Sequence, residues 1–111
     1  MEIQAKQVND LTVLFLTGSI NSITVLEITK DINELVSTGK VKLIFDLGAV
    51  PYMSSAGLRM FLGLVKETRA RSGDVRLVAV RPDVQRILNM SGFANILKIF
   101  DNIETAMAGF S

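Results

Sequence analysis

The chain contains neither cysteine nor histidine. The first absence excludes disulfides, thiolate catalysis and cysteine-ligated metals. The second removes the side chain that titrates nearest neutral pH and is the usual imidazole metal ligand, and with it most hydrolase and oxidoreductase sites. Neither enzymatic activity nor a cofactor or metal is therefore expected. Positive charge is not concentrated anywhere: 12 Lys and Arg stand against 11 Asp and Glu, for a net charge of +1. No basic run exists that could grip a phosphate backbone, so nucleic acid is not an expected partner. No apolar run approaches the roughly 20 residues of a membrane helix, and "MEIQAKQVND" is too polar for a secretory signal. A soluble cytoplasmic protein without membrane contact is the expectation.

What remains is ample material for one core. The 111 residues are 49% apolar and 21% charged, which fits a single domain spanning residues 1–111. "EIQAKQV" and "LTVLFLTG" flank an Asn9-Asp10 turn and read as a β-hairpin. Val25, Ile28, Ile32, Leu35 and Val36 recur at helical spacing up to Gly39, with Thr24 and Glu27 placed as a capping box. "VKLIFDL", residues 41–47, is nearly all apolar, as a strand covered on both faces should be. Leu58, Phe61, Leu62 and Val65 give a second helical stripe, "DVRLVAV" a further strand, and Pro82 with Val84, Ile87 and Leu88 a third helix. "NILKIF" reads as a last short strand, and a terminal helix capped by Asp101 with Glu104 follows. The order β-β-α-β-α-β-α-β-α implies an α/β fold: a mixed sheet, mostly parallel with an N-terminal antiparallel hairpin, helices packed around it and right-handed crossovers.

In that topology "PYMSSAGLRMF", residues 51–61, leaves the carboxyl end of a central strand, where open α/β sheets place their sites. Two readings of Ser54 and Ser55 stand side by side. A serine at a helix start commonly caps an unpaired backbone N–H. The same hydroxyl, presented on a rigid turn, can also accept a phosphate from an outside kinase, with the helix N-terminus holding the product. Serine catalysis is disfavoured, since no base is close in sequence and the G-x-S-x-G elbow is missing.

The sequence "LIFDLGAVPYMSSAGLRMFLGLVKETRARSGDVRLVAVRPDVQRILNMSGFANILKIF" resembles the STAS domain of bacterial anti-sigma factor antagonists. The likeness rests on the "FDL" strand, "SSAGL" against the family's D-S-x-G-L, "LVAV" followed by a helix, "LNMSGF" against L-x-x-x-G-L, and "LTGSIN" against G-x-[apolar]-D. It implies a STAS-like fold and a protein that binds an anti-sigma factor with serine kinase activity, thereby freeing a sigma factor. Phosphorylation would end the binding, and a serine phosphatase would restore it. By this resemblance the phosphoacceptor is Ser55. The partner-binding residues are Asn21, Ser54, Ser55, Ala56, Gly57, Leu58 and Arg59. Ser54 and Asn21 stand where the family often has aspartates, which leaves open a version of the fold without a switch, acting as a scaffold or as a subunit of a signalling or transport complex.

Gly57 serves either close approach by a kinase or tight packing. Asp46 occupies the place of a receiver-type phosphoacceptor aspartate, but the first strands carry no acidic pair to hold Mg²⁺, so a polar strand end bonded to backbone N–H groups is expected instead. Met53, Met60, Met90, Phe61 and Phe93 are expected mainly in the core, with an apolar docking surface as the alternative. Arg59 either pairs with a partner carboxylate, steadies a phosphate, or is a solvated charge.

Overall fold

The computed structural model describes residues 1–92, 95–108 and 110. Its elements follow the expected order: β1 (Glu2–Val8), β2 (Leu11–Thr17), α1 (Thr24–Ser37), β3 (Lys42–Ala49), α2 (Ser55–Arg69), β4 (Asp74–Val78), α3 (Pro82–Met90), β5 (Lys98–Phe100) and α4 (Ile103–Ala108). The five strands lie in the sheet in chain order. β1 and β2 pair antiparallel around a turn that sets Val8 opposite Leu11, and the pairs β2–β3, β3–β4 and β4–β5 are parallel.

Period-two alternation assigns each strand residue to one of two faces. Leu14, Leu16, Leu43, Phe45, Leu47, Val75 and Leu77 pack against α1, α2 and α3. Leu11, Val13, Ile44 and Val78 pack on the other side with Ala106 of α4, flanked by Ile103, Met107 and Phe110. The larger core is anchored where Phe61 meets Phe45 edge to face, with ring centres 5.1 Å apart. Such a pair contributes about 1 kcal/mol beyond the area it buries.

Helix and strand ends differ from the sequence expectation for local reasons. α1 is not opened by a box of Thr24 and Glu27. Asn21 Oδ1 instead accepts the N–H groups of Ile23 and Thr24, and Thr24 Oγ1 accepts the N–H of Asn21. The reciprocal cap thus forms one turn earlier, between Asn21 and Thr24. At its far end, Gly39 (φ 90°) lets its own N–H and that of Lys40 return to Val36 and Leu35, closing a Schellman turn. The terminal helix is capped by Asn102, whose Oδ1 accepts from Thr105, and not by Asp101. β4 stops at Val78, because Ala79 turns into the left-handed region at φ 56°.

Charge gathers at the amino end of the parallel strands. Asp74, at the start of β4, sits 2.9 Å from Arg69 Nε, 3.3 Å from Lys98 Nζ and 3.7 Å from Arg76 Nε. Burial pushes its carboxyl up. Hydrogen bonds from Arg69 and the Val75 N–H, the Arg69 charge and the contact with Lys98 outweigh that and hold it below the ordinary carboxylate value. Arg76, on the face of the sheet that α4 covers, donates to the Ala106 carbonyl, 2.8 Å away, and its guanidinium stacks over Phe110 at 4.0 Å. That contact ties α4 to the sheet.

Candidate functional site

At the opposite, carboxyl end, two loops run side by side. The loop after β2 and the loop after β3 are joined by a parallel bridge between Ile20 and Met53. The Ile20 N–H donates to the Tyr52 carbonyl, the Ser54 N–H to the Ile20 carbonyl, and the Gly18 N–H to the Ala49 carbonyl. Ile20 and Met53 are wholly buried beneath this zipper. It fixes Asn21 and Ser54 beside each other and delivers Ser55 to the first position of α2.

The two serines have different fates. Ser54 has the extended backbone of a cap (φ −86°, ψ 173°), yet its side chain makes no capping hydrogen bond. Its Oγ is buried and without a hydrogen-bond partner among the described residues. The capping role expected for this turn is thus filled in backbone conformation only. Ser55 is exposed. Because burial of Ser54 depends on the neighbouring loop, nothing in "SSAGL" alone separates the pair.

The remaining expected residues divide between surface and interior. Asn21 is half-buried, with its side-chain oxygen committed to α1. Ala56 and Arg59 line a groove of about 510 Å³ between α1 and α2, together with Val25, Met60 and Gly63. Arg59 is exposed and forms no ion pair among the described residues. Gly57 and Leu58 face inward. A Cβ on Gly57 would stand 2.6 Å from Ile20 Cγ2 and 2.7 Å from Met53 Cγ, so packing accounts for this glycine. Asp46 Oδ1 accepts the Gly48 N–H at 2.9 Å. Among the described residues no three acidic side chains converge to hold a metal.

Met53 and Phe61 are core, Met60 is half-buried and Met90 is exposed, while Phe93 lies outside the described residues. The exposed apolar groups at this end are others: Ile23 (72% exposed), Leu26 (69%) and Tyr52 (51%). Helical periodicity could have placed Leu26 off the Ile28–Ile32–Val36 stripe, whereas Tyr52 is set beside Ile20 by the loop zipper. A further signal was legible and unused. Residues 18–26 and 48–58 contain no charged side chain. A phosphate in this region would be its first formal charge, placed at the N-terminus of a 15-residue helix, where the backbone carries partial positive charge.

A sequential, mixed five-stranded sheet carrying an exposed serine at the mouth of its second crossover helix defines a class, and comparison with known proteins supplies it. The chain belongs to the STAS domain family, whose model matches residues 2–106. BtrV of Bordetella bronchiseptica is 29% identical over 110 residues, covering 99% of this chain and 95% of that one. The anti-sigma F factor antagonist of Paenibacillus polymyxa is 25% identical over 108 residues, with 96% and 92% covered. Among solved structures, the phosphorylated form of the Bacillus cell fate determinant SpoIIAA superposes with a TM-score of 0.75 over 97% of each chain. At 22% identity that likeness establishes the fold. Both sequence relatives bear the name of anti-sigma factor antagonist, and it is these proteins that the chain resembles over nearly its whole length.

Proposed function

We propose that this protein is an anti-sigma factor antagonist without enzymatic activity. It binds an anti-sigma factor through the surface around Ser55, and phosphorylation of Ser55 by that partner, acting as a serine kinase, ends the binding. The observation that carries the reading is the contrast within the turn: Ser55 is exposed at the head of α2, whereas the Ser54 oxygen is buried. A kinase supplies its own base and metal, so the substrate needs only a reachable hydroxyl. The phosphate adds a charge of about −1.5 to −2 beside two loop segments that carry none of their own, and a close protein contact there loses both charge balance and desolvation energy. Names of relatives such as the Paenibacillus polymyxa antagonist support the partner class, and the solved phosphorylated form of SpoIIAA supports the modification.

The test is incubation with a candidate anti-sigma kinase and Mg-ATP, followed by site mapping by mass spectrometry. One phosphate on Ser55 is expected. Phosphate confined to Ser54, or none on a partner that binds the protein, would count against the assignment. A second reading keeps binding but drops the switch, and it is motivated by Asn21, whose side chain is spent on capping α1 and carries no charge for a kinase to read. Equal partner affinity of phosphorylated and unphosphorylated protein would favour it.

A further inference from the structure

We propose that two copies of this chain associate edge to edge through β1, antiparallel and centred on Gln4. β1 is an edge strand whose seven residues pair with β2 at every position, without a bulge. Its outer side is unpaired, and an edge of this kind templates another strand. Proteins commonly blunt such edges with proline, bulges or charge. β1 has no proline and no bulge, and its lysine has a complement four residues earlier in Glu2.

A two-fold axis normal to the sheet keeps every side chain on its own face, so only residues of like parity stand opposite one another. Centring on Gln4 sets Glu2 against the second copy's Lys6, and Lys6 against the second copy's Glu2. Ile3 then faces Ala5 on the helix side. Centring on Ala5 would oppose Lys6 to Gln4 and Glu2 to Val8, forming neither pair. Within one copy these charges are unused: neither Glu2 nor Lys6 forms an ion pair among the described residues, and Glu2 accepts only from the Gln4 side chain. On the helix side, a groove of about 340 Å³ between β1 and α1 is lined by Ile3, Ala5, Leu14 and Leu35. The second copy's Ile3 closes its open flank. Asp31 and Glu34 also line this groove, and across the seam their like charges oppose association. The contact is two strands removed from β3, whose carboxyl end leads to Ser55.

Sedimentation equilibrium on the whole chain over a concentration series tests this, with circular dichroism confirming folding. A reversible monomer–dimer equilibrium is expected. Glu2→Lys and Lys6→Glu each create two like-charge pairs and should weaken the dimer about tenfold or more, while the double swap restores it. Asp31→Asn with Glu34→Gln should tighten it. If one single variant fails to fold, the other carries the same test. A wild-type chain that stays monomeric at millimolar concentration, or a dimer indifferent to the charge swaps, would overturn the proposal.

Discussion

The two ends of the parallel strands are built on opposite electrostatic plans. At the amino end, where helices finish, Asp74 gathers Arg69, Arg76 and Lys98, and Arg71 donates to the Val36 carbonyl at the end of α1. Cations there meet a carboxylate and the exposed carbonyls at helix C-termini, joining segments distant in the chain. At the carboxyl end, where helices begin, two uncharged loops are held by backbone bonds and by the packing of Ile20, Met53 and Gly57. The first plan spends charge on holding the fold. The second leaves two neutral loops beside the N-termini of α1 and α2, so that one added charge changes what they can touch.

Breaking the amino-end cluster should cost the most. Asp74→Ala leaves the buried Arg76 beside a vacated carboxylate position, and a loss of about 3 kcal/mol is expected by urea denaturation. The same carboxylate sets a pH dependence. Its folded value lies below the ordinary one, so its contribution is complete above the unfolded value of about 3.9 and is lost as pH falls through the folded value. Asp74→Asn should flatten the acid limb of a stability–pH profile measured below about pH 4.

At the carboxyl end, Gly57→Ala forces a methyl against Ile20 and Met53, and a loss of about 2 kcal/mol is expected by the same method. If the loop zipper positions the binding surface, partner affinity falls with it. Asn21→Ala removes the α1 cap, for about 1 kcal/mol. Smallest is Ser54→Ala, which discards a buried hydroxyl with no partner. Stability should hold or rise by up to about 1 kcal/mol, with phosphorylation at Ser55 retained, which separates the two serines functionally.

Element order and the two faces of the sheet were legible because periodicity is a local property: the stripe of Ile28, Ile32 and Val36 and the apolar run of β3 declare themselves without tertiary information. Caps were misplaced where several short polar residues competed, as at Asn21 against Thr24 and Asn102 against Asp101, since the winner depends on which backbone turn closes first. The division between Ser54 and Ser55 was out of reach of pattern alone. It is imposed by Ile20, more than thirty residues upstream, through the carbonyl that accepts the Ser54 N–H. Family resemblance points to Ser55, and what the geometry adds is that Ser55 is exposed while the Ser54 oxygen is buried.

The most direct test compares Ser55→Asp with Ser55→Ala by titration calorimetry against an anti-sigma factor that binds the wild-type chain. Both variants should fold, since Ser55 is exposed, and the aspartate form should bind at least tenfold more weakly than the alanine form. Equal affinity of the two would contradict the claim that negative charge at the head of α2 governs association.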